Sequence, residues 1–286
     1  MSEDIVKRGL VLEGGAMRGM FTAGVMDVFM ENDIRFDGAA GISAGAIFGC
    51  NYKSHQIGRV IRYNTRFSRD PRYSSIRTLI RTGDLYGAEF CYRDIPDILD
   101  VFDRETFKND PMEFYVGATD VETGKIEFHK CIDGESEDIQ WMRASASMPI
   151  VSRPVRINGR EYLDGGITDS VPYEFLESLG YNRNVIVLTQ PLGFVKKDRH
   201  TKLLMKLLLH KYPNIASAMA DRHIMYNRQM EEIRRREQDG RSLVIRPATS
   251  LGIGRTEKDP DELQRVYREG RKEAERRLPE VIDFLL

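Results

Sequence analysis

Gly41-Ile42-Ser43-Ala44-Gly45 is the stretch on which the reading of this chain turns. The chain reaches it through Phe36-Asp37-Gly38-Ala39-Ala40, small and apolar enough for a buried strand, and leaves it through Ala46-Ile47-Phe48-Gly49-Cys50-Asn51-Tyr52, which reads as a helix. A Gly-x-Ser-x-Gly on a strand-to-helix bend is the nucleophile-elbow pattern. The bend strains the central residue, and glycine at 41 and 45 removes side chains that would crowd the neighbouring strand and helix. Ser43 would then hold its hydroxyl at the mouth of a sheet. The Ala44 N–H and the start of the helix would lie where negative charge develops on a reacting oxygen. A glycine-rich turn that needed a small polar residue has the same five letters, so the pentapeptide alone leaves both readings open.

Composition narrows the field. The chain has 286 residues, 41% hydrophobic and 30% charged, which suits a soluble protein with a substantial core. A formal net charge of −1 provides no global field for nucleic acid, and no nucleic-acid partner is expected. The first eight residues are charged and lack the apolar core of a signal peptide. The apolar stretch 203–209 is short and carries Lys206, so no segment is expected to span a bilayer. Three widely spaced cysteines, Cys50, Cys91 and Cys131, suit a reducing compartment rather than a disulfide framework or a thiolate metal site. A cytoplasmic protein without a metal is expected.

Gly9-Leu10-Val11-Leu12 reads as the first buried strand, followed by the glycine-rich loop Glu13-Gly14-Gly15-Ala16-Met17-Arg18-Gly19. A helix over residues 20–30 would bury Phe21, Val25, Val28 and Phe29, and the strand and elbow come next. That order implies a parallel sheet with crossover helices. The loop has two candidate chemistries, because N–H groups at a helix start bind anions. It could hold a dinucleotide pyrophosphate, with Ala16 where the fingerprint has its middle glycine and Asp37 as the ribose acid. It could instead supply N–H groups to the oxyanion of an acyl transfer from Ser43. Only the second reading uses loop and elbow in one site.

Residues 54–84 are helical, then loop-like, and rich in arginine: Arg59, Arg62, Arg66, Arg69, Arg72, Arg77 and Arg81. They read either as a basic lip over the site or as a solvated face with ordinary ion pairs. Residues 88–102 form an amphipathic stretch interrupted by Pro96. A strand over 113–119 and a mate over 126–129 follow, then a helix over 138–148, and then a hairpin around Asn158-Gly159. Asp164-Gly165-Gly166 comes directly after the hairpin. A serine nucleophile needs a base, and a carboxylate at a strand end beside two glycines is well placed to act as one. It lies 121 residues beyond Ser43, so only the fold can bring the two together.

These three motifs in this order resemble the patatin-like phospholipase family of serine lipid acyl hydrolases, most closely its small bacterial branch. The family's motifs are matched here by Gly14-Gly15-Ala16-Met17-Arg18-Gly19, Gly41-Ile42-Ser43-Ala44-Gly45 and Asp164-Gly165-Gly166, with Ala144-Ser145-Ala146-Ser147-Met148-Pro149 as its helix-to-strand passage. The resemblance covers about residues 8–190. It implies a Ser-Asp dyad without histidine, in which Ser43 is the nucleophile and Asp164 the general base. It also implies an oxyanion hole from the N–H groups of Gly14, Gly15, Ala16 and Met17, joined by that of Ala44, with Arg18 bracing the loop. No cofactor or metal is implied, and the substrate would be a lipid or small acyl ester. One departure is Ala16, where the family usually has glycine; a positive φ there would strain alanine by about 1 kcal/mol. His55, His129, His200, His210 and His223 lack a glycine-framed strand-end setting, and Ser145 and Ser147 lack an elbow, so the latter pair read as packing or loop residues.

Beyond this core, residues 173–179 read as a helix and 184–189 as a strand. Residues 196–212 read as a basic, leucine-rich helix that packs, caps an acyl pocket or lies on a membrane. A helix over 215–238, a strand at 243–245 and a long helix over 261–285, kinked at Pro279, complete the chain. The expectation is one domain over residues 1–286, with a core of about 8–190 and a helical extension of about 191–286. Its class is α/β, three layers α/β/α around a mostly parallel central sheet. The expected reaction is hydrolysis of fatty acyl esters through an acyl-enzyme, with peripheral membrane contact. Two other classes stay open, a dinucleotide-binding protein and a non-catalytic lipid- or membrane-binding protein. The oligomeric state is not legible.

Overall fold

The computed structural model describes residues 6–197 and 202–286. Its centre is an eight-stranded sheet ordered β5-β6-β3-β2-β1-β7-β8, with β4 paired to β3. The strands are β1 (Arg8–Leu12), β2 (Gly38–Ile42), β3 (Glu113–Asp120), β4 (Ile126–Cys131), β5 (Val155–Ile157), β6 (Arg160–Asp164), β7 (Arg183–Val187) and β8 (Ser242–Ile245). Pairings β3-β2-β1-β7-β8 are parallel, and β3-β4, β3-β6 and β5-β6 are antiparallel. Helices α1 (Gly19–Glu31), α2 (Ala44–Lys53), α3 (Arg59–Phe67), α4 (Ile76–Thr82), α5 (Arg104–Asn109), α6 (Ser136–Ser145), α7 (Tyr173–Ser178), α8 (Lys202–Leu208), α9 (Pro213–Gln238) and α10 (Pro260–Leu285) surround it. This is the three-layer α/β/α arrangement expected from the alternation of apolar runs and helical periodicity.

One register detail builds the site. Strand β3 pairs with β4 along one edge over residues 114–119. Its other edge must therefore carry both β2, over 113–117, and β6, over 118–120. Ile42 is opposite Gly117 and Asp164 is opposite Ala118. The carboxyl ends of β2 and β6 thus meet head-on along one edge of β3, one residue apart in its register.

Several boundaries differ from the sequence reading. Strand β2 starts at Gly38, not Phe36, because Asp37 turns back to accept the Arg8 N–H at 2.7 Å. Helix α1 is buried on every side over Gly19–Met30, not on one face. The reason is α10, which lies across it; Asp27 accepts from the Tyr267 hydroxyl at 2.6 Å, and Glu31 takes both Arg271 amines at 2.8 and 2.7 Å. Pro96 does not interrupt its segment. It sits inside a π-helical stretch, Phe90–Leu99, whose wider turn relieves the clash of the ring with the preceding carbonyl. The helix expected over 196–212 is shorter: Lys196 and Lys197 are not helical, and α8 covers Lys202–Leu208. His200 and the side chains of residues 203 and 204 fall outside the described residues. Among the described residues no helix is long and apolar enough to cross a membrane.

Candidate active site

Ser43 follows β2 directly, with φ 54° and ψ −118°, a conformation that costs a non-glycine residue on the order of 1–3 kcal/mol. The surroundings enforce it. A Cβ on Gly41 would lie 2.4 Å from the Gly45 carbonyl oxygen, and one on Gly45 would lie 2.4 Å from that of Leu12. The elbow is therefore wedged between its own helix and β1. The Ser43 hydroxyl donates to Asp164 Oδ2 at 2.8 Å, and its backbone N–H donates to Ser145 Oγ at 2.9 Å. Asp164 is held in turn: its N–H donates to the Ser147 carbonyl at 2.8 Å, and its Oδ1 accepts the Gly166 N–H at 2.7 Å. The end of α6 thus braces both partners. Ser145 and Ser147, read from the sequence as packing or loop residues, hold the pair here, Ser145 through its hydroxyl and Ser147 through its backbone carbonyl.

Asp164 is buried, and desolvation raises its pKa; the cations Arg222 and Arg255 and the hydrogen bonds from Ser43 and Gly166 oppose the rise. A carboxylate with a raised pKa is a stronger base toward a hydroxyl than an exposed one. Among the described residues no histidine bonds to the pair. His55 contacts Asp110 and Arg35, His129 contacts Asp138, His210 contacts the Leu207 carbonyl of α8, and His223 contacts the Ala220 carbonyl of its own helix. Cys50 and Cys91 line the same cavity as Ser43, but burial pushes both thiols up, Cys50 to about 12, so neither offers a thiolate.

The glycine loop lies against the elbow, with a Cβ on Gly14 falling 3.1 Å from Ser43 Cβ. Its N–H groups are not equivalent. That of Gly14 donates to the Ser170 carbonyl at 3.2 Å and is not available, which removes Gly14 from the expected oxyanion donors. Those of Gly15, Ala16, Met17 and Ala44 carry no hydrogen bond among the described residues. Arg18 makes no side-chain hydrogen bond there either, and its buried Nε has no partner. Glu13 anchors the loop instead. It is 1% exposed, takes the Thr189 N–H and hydroxyl after β7, and takes the Tyr226 hydroxyl of α9 at 2.8 Å. Nothing in the local sequence marks Glu13, whose partners are 176 and 213 residues away.

Ala16 has φ +49°, so the strain expected of alanine at this point is present. Ala16→Gly is expected to keep or raise stability, by up to about 1 kcal/mol after glycine's extra unfolded-chain entropy is offset. Urea midpoints check this, and a loss above about 1 kcal/mol would contradict it.

Beyond the dyad opens an apolar chamber of about 130 Å³ with an open mouth. Met17, Phe48, Tyr63, Ile95, Phe102 and Met142 are among its walls, and Ser43 lies at its edge. Most of the arginines expected to form a basic lip are engaged: Arg59 and Arg62 on Asp100, Arg69 on Asp259, Arg72 on Asp70 and Arg66 on the Leu99 carbonyl. Arg77 and Arg81 are exposed.

The dinucleotide reading fails on geometry. Asp37 precedes β2 and lies at the opposite end of the sheet from the loop after β1. An acid that reads a ribose must stand at the carboxyl end. One grouping of metal-ligand types, His129, Cys131 and Asp138, brings its atoms within 4.8 Å of one another. The Asp138 carboxylate there accepts from His129 and from the N–H groups of residues 132–134, which caps the turn into α6.

A family model described as patatin-like phospholipase matches residues 10–176, and a domain of unknown function, DUF6363, matches residues 212–286. The uncharacterized protein YjjU of Escherichia coli is 30% identical over 200 residues, which is 64% of this chain and 52% of YjjU. The lysophospholipase NTE1 of Coccidioides immitis is 28% identical over 179 residues, 60% of this chain and 11% of NTE1. The match therefore spans about half of the first relative and about a tenth of the second. VipD from Legionella pneumophila superposes with a TM-score of 0.47 at 13% identity, over 96% of this chain and 67% of VipD. Because the first of the two family models takes in most of β1, all of β2 to β6 and more than half of the residues, the chain belongs to the patatin-like phospholipase family.

Proposed function

We propose that this chain hydrolyses fatty acyl esters through an acyl-enzyme on Ser43, with Asp164 as general base. The observation that carries the reading is the 2.8 Å hydrogen bond from the Ser43 hydroxyl to a buried carboxylate, at the edge of an apolar chamber. Asp164 takes the hydroxyl proton as Ser43 Oγ attacks the acyl carbonyl. The N–H groups of Gly15, Ala16, Met17 and Ala44 are the donors at hand for the oxyanion. Asp164 gives the proton to the departing alcohol, leaving an ester on Ser43. It then takes a proton from water, the hydroxide displaces the acyl group, and Ser43 regains its proton. Arg18, Gly19, Gly41, Gly45, Gly165 and Gly166 shape the site without reacting.

The apolar chamber supports a fatty acyl chain, and the lysophospholipase named among the relatives supports a lysophospholipid as one substrate. Two features support a single domain: β8 completes the sheet beside β7, and α10 buries α1. Three free cysteines support a reducing compartment. Helix α4 supports peripheral membrane contact. It is a short surface helix with Ile76 and Ile80 73% and 81% exposed beside Arg77 and Arg81, and the flanking Tyr73, Asp84 and Tyr86 line the chamber.

The test is fatty acid release from one lysophospholipid, offered as dispersed monomer and in anionic vesicles. Both forms are expected to be cleaved, and Ile76→Ser with Ile80→Ser is expected to lower only the vesicle rate, by about tenfold. No release from either form would overturn the hydrolase reading, and equal loss on monomer and vesicle would overturn the role of α4.

A further inference from the structure

Helix α9 lies beyond the family core, matched over residues 10–176, and within the segment of unknown function matched over residues 212–286. It nonetheless reaches the site at three places. Arg222 donates through Nε to the Gly166 carbonyl. The Tyr226 hydroxyl donates at 2.8 Å to Glu13, at the head of the oxyanion loop. Gln229 donates to the Asp169 carboxyl at 2.7 Å and accepts the Ser170 N–H at 3.2 Å, and the Ser170 carbonyl takes the Gly14 N–H. Positions 222, 226 and 229 follow one face of the helix. That single face therefore holds both the turn that carries the base and the loop that carries the oxyanion donors.

Arg222 does more than tie down a carbonyl. A Cβ on Gly166 would lie 3.0 Å from Asp164 Oδ1 and 3.1 Å from Arg222 Nη2. Both atoms border the same point, so the guanidinium and the carboxylate stand no more than about 6 Å apart. A full positive charge at that range favours the ionised form of a buried carboxyl. The other groups at Asp164 are the neutral Ser43 hydroxyl from the elbow and the Gly166 N–H from its own turn, and β3 places the Thr119 hydroxyl on the Asp164 carbonyl. Burial raises the Asp164 pKa; Arg222 opposes it most strongly, ahead of the Ser43 and Gly166 hydrogen bonds and of Arg255, which precedes α10.

We propose that Arg222 is the counter-ion and positioning residue of Asp164, so that the segment beyond the family core supplies part of the active site. The inference rests on the hydrolase reading above and deepens it. A buried carboxyl with no cation in reach holds its proton toward neutral pH and cannot take another from Ser43. Arg222 keeps Asp164 ionised, and its bond to the Gly166 carbonyl fixes the turn whose N–H holds Oδ1. Oδ2 is thereby left for the Ser43 hydroxyl. This gives part of the segment of unknown function a task, since Arg222 falls within it.

The pH profile of kcat/KM for one soluble, uncharged acyl ester tests it, in the parent, Arg222→Gln and Arg222→Lys. Arg222→Gln is expected to lose about tenfold on the acid side and to return to within about threefold of the parent on the alkaline plateau, with KM unchanged. Arg222→Lys keeps a cation and is expected to keep the parental profile, a rescue that a merely structural role does not predict. Arg222→Met, which retains the packing of the stem, replaces the glutamine variant if that protein does not fold. The Lys196 ammonium, 3.7 Å from the centre of the Tyr226 ring, titrates at about 7, so the comparison is repeated in a Lys196→Met background, where the same acid-side loss is expected. A loss of equal size at every pH, a glutamine profile that overlays the parent's, or a lysine variant as impaired as the glutamine one refutes the counter-ion while hydrolysis stands. If the parent cleaves no ester, the hydrolase reading falls and this inference with it.

Discussion

Ser43→Ala is expected to fold as the parent does and to lose at least about 10³-fold in turnover of any acyl ester. The alanine keeps the Cβ, so it keeps the elbow's backbone strain and its wedged geometry. What it removes is the only hydroxyl bonded to the Asp164 carboxyl among the described residues. Ser43→Gly sharpens the point, because glycine accepts φ 54° and ψ −118° without penalty. It should be equally inactive and yet more stable, by about 1–2 kcal/mol, since the strain held for function is released. Urea unfolding measures the stability and ester turnover the activity. A Ser43→Ala protein with parental turnover would end the assignment. A Ser43→Gly protein less stable than Ser43→Ala would show that the elbow is not strained.

Asp164→Asn carries the second large effect, a loss of turnover of about 10²–10⁴-fold together with a gain in stability. The two have one cause. Burial raises the Asp164 pKa above the ordinary aspartate value of 3.8, so the folded protein holds that proton more tightly than the unfolded chain does. The stabilisation from the protonated form is complete below 3.8 and is lost as pH rises through the raised folded value. At neutral pH the ionised carboxylate is therefore a burden on the fold. Asparagine removes it while still accepting from the Gly166 N–H and donating toward Ser43. The variant should melt a few degrees higher than the parent at pH 7, with the gap narrowing as pH falls toward 4. In the parent, kcat/KM should rise with pH through the folded-state pKa of Asp164, above the range of an exposed aspartate. A variant that melts lower than the parent at pH 7 would contradict this account of the carboxyl.

The local pieces of this site are written in short stretches, which is why they are readable. Glycines flank Ser43 because neighbouring backbone leaves no room for a Cβ, that of Gly45 beside Gly41 and that of Leu12 on β1 beside Gly45. Asp164 is visible for the same reason, as an acid between a hairpin and two glycines. What joins them is not local. Strand β3 sets Ile42 and Asp164 against its consecutive residues Gly117 and Ala118, and no pattern in either motif states that register. Ser145 holds Ser43 across 102 residues through a hydroxyl that could equally have faced a loop. Gly14 shows the limit from the other side. Its place in the motif suggests an oxyanion donor, yet its N–H is taken by Ser170, on a segment that only the fold brings near. Asp37 misled because a ribose acid belongs at the carboxyl end of its strand, whereas Asp37 stands just before the amino end of β2.

The most direct measurement of the central claim is labelling with a fluorophosphonate followed by mapping of the modified peptide. The account predicts one adduct, on Ser43, absent in Ser43→Ala and formed much more slowly in Asp164→Asn. An adduct of equal yield in Ser43→Ala, or one mapped to another residue, would contradict it.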